Sequence, residues 1–150
     1  MITISGSILI DRPKEDVFAF VGDYGNDPHW RSGVVEMRID PPGEIHVGWR
    51  THEVMRVMGR TTATEAEITE YVIDGRTAFR TVAGDLSAEG YRSVDAEGAR
   101  TRFTYVAHAE LDAWYRPFAT LIEWVFNRRV GRDLARLKAI LESPGPLATG

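Results

Sequence analysis

The sequence predicts an α+β fold in which a curved, seven-stranded antiparallel sheet wraps around one long C-terminal helix and leaves a ligand cavity between them. Three observations predict it. The chain opens as a strand, with Ile2, Ile4, Ile8 and Ile10 alternating with Thr3, Ser5 and Ser7. From Val34 to about Leu111 it reads as consecutive strands joined by short turns, so that successive strands are antiparallel neighbours. From Arg116 to Glu142, Phe118, Leu121, Ile122, Val125, Phe126, Val130, Leu134, Leu137 and Leu141 recur in steps of three and four, the stripe of one continuous helix. At 1.5 Å per residue this helix is roughly 40 Å long, enough to cross a domain of this size.

The elements follow in order. After the first strand, Asp11 is expected to cap a short helix with Pro13 in its first turn, where a missing N–H costs nothing. Val17, Phe18, Phe20 and Val21 supply its apolar side, and the run from Gly22 to Pro28 breaks the pattern into turn or short-helix geometry. Strands are predicted over Val34–Ile39, Val47–Met58, Arg60–Val72, Thr77–Ala83, Leu86–Val94 and Thr101–Leu111. Pro41-Pro42-Gly43, Gly59, Asp74-Gly75, Gly84-Asp85 and Asp95 to Gly98 mark the turns between them. Residues 1–142 form a single domain in this reading, and 143–150, rich in Pro and Gly, a flexible tail.

Composition narrows the function. With 150 residues and no cysteine, disulfide frameworks, zinc fingers, iron–sulfur clusters and cysteine nucleophiles are excluded. A net charge of −4 argues against a nucleic-acid platform. The most apolar run, Pro117 to Phe126, is too short to span a bilayer and contains Glu123. The first ten residues lack the basic start and cleavage signal of a signal peptide, so a cytoplasmic location is the expectation. His29, His46, His52 and His108 show no metal-ligand spacing, and neither GxSxG, GxGxxG nor a P-loop occurs; no metal and no cofactor is expected. The arginines of the closing helix (Arg128, Arg129, Arg132, Arg136), with Lys138, read as a solvated face that complements the helix dipole, with an acidic partner or anionic membrane as the other possibility.

Several passages resemble a known family. Ile8 to Phe18 (ILIDRPKEDVF) is similar to an opening strand-to-helix passage, Val47-Gly-Trp49 to the start of a third strand, Gly98 to Phe103 (GARTRF) to the entry of a last strand, and Leu134 to Glu142 (LARLKAILE) to a closing helix. Together with the element order they resemble the START-like (SRPBCC) helix-grip superfamily, in its polyketide cyclase/dehydrase-like branch; the resemblance covers residues 2 to 142. The superfamily includes polyketide cyclases, plant pathogenesis-related ligand binders and lipid-transfer domains. What the resemblance implies is a helix-grip fold and an internal pocket, with no catalytic set to carry over.

Strand parity then sorts side chains between the cavity and the outside. On the long central strand Val47, Trp49, Thr51, Glu53, Met55 and Val57 are expected inside, and on the next Thr62, Thr64, Ala66 and Ile68. Phe79, Thr81 and Ala83 follow, then Tyr91 and Ser93, then Phe103, Tyr105, Ala107 and Ala109. A bulge would invert any strand beyond it. Glu53 is the one carboxylate in this set. Without an arginine partner it would be a candidate general acid or base, with Tyr91 and Tyr105 donating to a substrate carbonyl. Candidate ligand-binding residues are Trp30, Trp49, Met55, Phe79, Phe103 and Tyr115, of which Trp30 and Tyr115 either gate the mouth or plug the barrel end. Phe118, Leu121, Ile122 and Val125 are expected to line the pocket from the first half of the closing helix.

Three functions fit this reading. One is a carrier of a hydrophobic small molecule such as a lipid, polyketide, terpenoid or quinone. Another is a cofactor-independent cyclase or dehydratase using Glu53. The third is an interaction module, as monomer or homodimer. One carboxylate, a few hydroxyls and no inward histidine favour binding.

Overall fold

The structure is a computed structural model that describes residues 1–57 and 59–144. Met58, at the end of the expected long strand, and 145–150, most of the expected tail, lie outside the described residues. The seven strands are β1 (Ile2–Ile10), β2 (Val34–Asp40), β3 (Arg50–Val57), β4 (Arg60–Val72), β5 (Arg76–Gly84), β6 (Ala88–Glu97) and β7 (Arg100–Ala109). They form one sheet in the order β1-β7-β6-β5-β4-β3-β2, every pair antiparallel. Among the described residues three helices complete the fold: α1 (Lys14–Val21), α2 (Asp27–Trp30) and α3 (Ala119–Glu142), with 3-10 turns leading into α2 and α3. The curved seven-stranded sheet around a long C-terminal helix is the arrangement the sequence predicts.

Local differences have local causes. The residue that caps α1 is Pro13, with no side-chain cap, while the Asp11 amide instead donates to the Glu142 carboxylate at 2.8 Å. The strand expected to begin at Val47 begins at Arg50, because Gly48 turns the chain through φ 93°. Asp74, at φ 60°, makes the tight β4–β5 hairpin that Asp-Gly predicts.

α3 lies along β1, one of the two edge strands of the sheet. Gly6 permits this, since a Cβ there would meet Leu134 at 2.9 Å and Val130 at 3.1 Å. Helix side chains satisfy the edge: Glu123 accepts from the Thr3 amide (2.9 Å), and Asn127 accepts from the Ser5 amide (2.8 Å) and donates to the Thr3 carbonyl (3.1 Å). Near the other end Lys138 donates to the Leu9 carbonyl at 2.9 Å. These bonds answer groups that an edge strand otherwise leaves free to pair with another chain.

The main core sits between α1, the second half of α3 and the β1–β7–β6 side of the sheet, around Ile10, Val17, Phe18, Trp30, Phe103, Leu134 and Leu137. A smaller cluster of Tyr24, Ile45 and Ile68, with Trp49 packed on it, closes the side near β3 and β4. The remaining space, toward the N-terminal half of α3, is not filled.

Candidate functional site

The deep end of that space is built on ions. Asp27, at the start of α2, and Arg92, on the inner face of β6, are both fully buried. Arg92 grips the carboxylate with both terminal nitrogens, Nη1 to Oδ1 at 2.8 Å and Nη2 to Oδ2, and Nη1 also donates to the Val21 carbonyl at 2.9 Å. Arg31 extends the chain of charges: its Nη1 donates to Asp27 at 2.9 Å and to Glu53, on β3, at 2.7 Å. Cation–π contacts join them, the Arg92 guanidinium lying 4.2 Å from the Tyr24 ring centroid and that of Arg31 5.8 Å from the Tyr105 centroid. Burial works against both guanidinium charges. Glu53, Tyr105 and Asp27 outweigh it at Arg31, and Asp27 with Tyr24 outweighs it at Arg92, so both stay protonated more firmly than free arginine. Tyr24, its hydroxyl 2.9 Å from that of Thr77, is pushed by burial up to about 12 even though Arg92 and the Thr77 hydrogen bond pull it down.

Above this floor opens a cavity of about 480 Å³. Its walls are mostly apolar: Met37, Met55, Ala66, Phe79 and Ala107 from the sheet, and Ile122, Phe126 and Val130 from α3. Tyr105, Thr51, Thr62 and Thr64 add hydroxyls. Arg60, Asp85, Leu86, Asp112 and Tyr115 line the exposed mouth, where Arg60 Nη1 donates to the Tyr115 hydroxyl at 3.2 Å. The volume lies in the range of small-molecule sites, about 300–1,000 Å³.

The sequence matches the family described as polyketide cyclase/dehydrase and lipid transport over residues 1–142. The chain belongs to that family. Among curated proteins there is no match. Solved structures share the fold at low identity. A protein from Thermus thermophilus superposes with TM-score 0.79 at 21% identity, covering 93% of this chain and 96% of its own. The Zhui aromatase/cyclase from Streptomyces sp. R1128 gives 0.75 at 13% identity, with 93% of each chain covered. A START superfamily protein from Mycobacterium smegmatis gives 0.75 at 12%, covering 93% and 97%.

In this polyketide cyclase/dehydrase family chain the candidate residues fall into three groups. Trp30, Glu53, Met55, Phe79, Tyr105, Tyr115 and Ile122 border the cavity, as do Thr51, Thr62, Thr64, Ala66, Thr81, Ala107 and Ala109 of the expected inward set. Phe103 and Trp49 are buried or half-buried elsewhere: Phe103 under the edge of Trp30 at 5.8 Å, and Trp49 in the smaller cluster against His46. Tyr91, Phe118, Leu121 and Val125 do not border it.

Each departure from the expected geometry has a physical reason. On β6 the parity is opposite to expectation. Tyr91 pairs with Ala78 and Val106 on the outer face, where Arg76 stacks 3.8 Å from its ring centroid, and Ser93 shares that face. The inward residues are Ala88, Gly90, Arg92 and Val94; the sequence reading preferred an aromatic to an arginine. Gly90 is required there, because a Cβ would meet the Val106 carbonyl oxygen at 2.2 Å. A register shift between Glu65 and Ala66 on β4, which leaves Val82 of β5 unpaired, turns Ala83 outward. The N-terminal half of α3 is apolar on two faces: the one through Ile122, Phe126 and Val130 meets the sheet, and the one through Phe118 and Leu121 faces solvent. The cavity therefore lies against the Ile122, Phe126 and Val130 face of that half and not against the Phe118 and Leu121 face. Trp30, 2% exposed, belongs to the floor and does not gate the mouth. Glu53 does face the cavity, but as half of an ion pair with Arg31, so it is not the lone desolvated carboxylate that the acid/base reading requires.

Sequence reasoning missed Asp27, Arg31, Arg92, Arg129 and Asp133. Asp133, on α3, is buried, and its Oδ1 accepts the Ser32 amide at 3.1 Å. Among the described residues no cation lies within ion-pair distance of it. Burial raises its pKa, opposed by Ser32 and more distantly by Arg31 and Arg136. A signal was present: Asp133 lies three and seven residues from Val130 and Phe126, on the covered face of the stripe. No cluster of three metal-ligating side chains occurs among the described residues.

Proposed function

We propose that the protein binds a hydrophobic small molecule of the lipid, polyketide, terpenoid or quinone class in the cavity between sheet and helix. The observation that carries this reading is an apolar-walled space of about 480 Å³ whose deep charges are already paired with one another. A ligand entering it meets hydroxyls, the Asp133 carboxyl group without an ion-pair partner, and the Arg129 guanidinium, whose buried Nη1 has no hydrogen-bond partner among the described residues. Family membership and the START-superfamily fold support a ligand-binding or cyclase role at this coarser level.

A second reading, a cofactor-independent cyclase or dehydratase, is favoured by one observation: Asp133 is a buried carboxyl group at the cavity wall without an ion-pair partner. On this reading Asp133, rather than Glu53, moves the proton, and Tyr105 polarises the carbonyl.

Titration with the neutral fluorophore N-phenyl-1-naphthylamine tests the first reading. Saturable binding to wild type, weakened at least tenfold in Ala107→Trp with the fold retained, supports it; equal binding by both proteins refutes it. Turnover of a poly-β-ketone substrate tests the second. A loss of roughly 10²–10⁴-fold in Asp133→Asn, with fluorophore binding kept, is expected of a proton-transfer group.

A further inference from the structure

Next in the chain to residues of the cavity mouth, the fold leaves large apolar side chains in water, of which Leu86 and Tyr115 also line the cavity. Trp114 is 86% exposed, Phe118 and Leu121 58% each, Trp124 57%, and Tyr115 and Leu86 42% each. Five of these six lie between residues 114 and 124, where β7 passes into α3. Leu86 joins them through the β5–β6 loop, held to the same end of the sheet by the Glu110 amide donating to the Ser87 carbonyl at 2.9 Å. Phe118, Leu121 and Trp124 share one side of the helix, the second apolar face that the core does not use. Arginines flank them: Arg116 in the approach to α3, and Arg128 with its guanidinium 5.4 Å from the Trp124 ring centroid. Large exposed apolar patches of this kind mark an interaction surface.

We propose that this lip is a bilayer-docking surface, in which Trp114, Phe118, Leu121 and Trp124 enter the headgroup–acyl boundary of a lipid membrane and turn the cavity mouth toward the lipid. The residue types fit that occupant. Tryptophan and tyrosine prefer the boundary because one end is apolar and the other wet, and an amphipathic helix with aromatic and leucine side chains beside arginines lies in the plane of the interface. Position decides against a second copy of the chain. Tyr115 and Leu86 belong both to the lip and to the cavity lining, so a protein partner seated there would stopper the cavity. A fluid bilayer covers the apolar side chains and still leaves a path for an apolar ligand. The inference rests on the cavity-binding reading for what crosses the lip, and on the exposed side chains alone for the docking itself.

The test is co-sedimentation of the full chain with phosphatidylcholine vesicles, with and without a fraction of phosphatidylglycerol. The comparison is the double variant Trp114→Ala, Trp124→Ala, neither residue bordering the cavity. Expected is binding of wild type that strengthens with the anionic lipid, through Arg116 and Arg128, and falls at least tenfold in the double variant, while N-phenyl-1-naphthylamine binding in solution is unchanged. Absence of vesicle binding by wild type, or equal binding by the variant, overturns the proposal. So does a concentration-dependent dimer in sedimentation velocity that the double variant abolishes, since the lip is then a seam between copies. Failure of fluorophore binding with vesicle binding intact would remove the cavity reading and leave the docking surface standing.

Discussion

Replacing Asp27 by alanine isolates the buried charge network, because that one carboxylate accepts three of its hydrogen bonds, two from Arg92 and one from Arg31. After the change Arg31 keeps Glu53 at 2.7 Å, whereas Arg92 keeps only the Val21 carbonyl at 2.9 Å and its stacking on Tyr24. A guanidinium with 2% of its side chain exposed is then left in the interior without a counter-charge. Removing one partner of a buried pair costs about 3–5 kcal/mol, most of it the desolvation of the survivor. For a domain of this length each kcal/mol lowers Tm by roughly 3 °C, so thermal unfolding followed by circular dichroism should drop by about 9–15 °C. Asp27→Leu combined with Arg92→Met should recover most of that loss, since apolar side chains of similar volume replace a buried pair with little penalty. Urea unfolding of wild type, Asp27→Leu, Arg92→Met and the double variant closes the double-mutant cycle. A loss in Asp27→Ala of under about 1 kcal/mol, the scale of an exposed ion pair, would refute the claim that the network is desolvated.

Other outcomes follow from the same geometry. Burial raises the Asp133 pKa above its unfolded value of 3.8, so protonation favours the folded state: its stabilising contribution is complete below that value and is lost as pH rises through the raised folded value. Asp133→Asn keeps the Ser32 hydrogen bond and abolishes this loss, so urea unfolding from pH 4 to pH 7 should show a flatter profile and greater stability at neutral pH than wild type. Tyr24 should ionise only near pH 12 in an absorbance titration at 295 nm, and Tyr24→Phe should remove that late step. Gly90→Ala should lower Tm by several degrees or prevent folding, because its Cβ would meet backbone atoms of β7 at 2.2 and 2.9 Å.

The fold was legible because its signals are periodic. Alternation in β1 and β7, the Asp74-Gly75 hairpin and the long stripe of α3 each have one structural solution, and these solutions are mutually consistent. The site was legible only where parity held. Thr51, Glu53 and Met55 on β3 and Tyr105, Ala107 and Ala109 on β7 reach the cavity wall because those strands run without a bulge through that stretch. β6 misled because hydrophobicity was made to choose its inner face. Arg92 faces inward only because Asp27, 65 residues earlier, waits to receive it, and no local pattern announces such a pairing. The same holds for Glu53: its inward direction follows from its own strand, but its partner Arg31 comes from a loop whose geometry the sequence does not specify. On α3 the difficulty was an excess of signal, because two apolar faces compete in its first half and only the packed sheet decides which one is covered.

The side-chain clamps between α3 and β1 have a kinetic consequence. Because Glu123 and Asn127 fasten one end of the helix to the strand and Lys138 and Glu142 the other, the helix cannot tilt away as a door without losing hydrogen bonds at both ends at once. Traffic into and out of the interior is left to the loops around Arg60, Leu86 and Tyr115, which one exposed hydrogen bond links across the opening. Loop motion of that kind takes nanoseconds to microseconds, far faster than unlatching a packed helix. On the proposed binding reading, the residence time of a molecule inside is then set by how well it fits the walls rather than by opening of the scaffold.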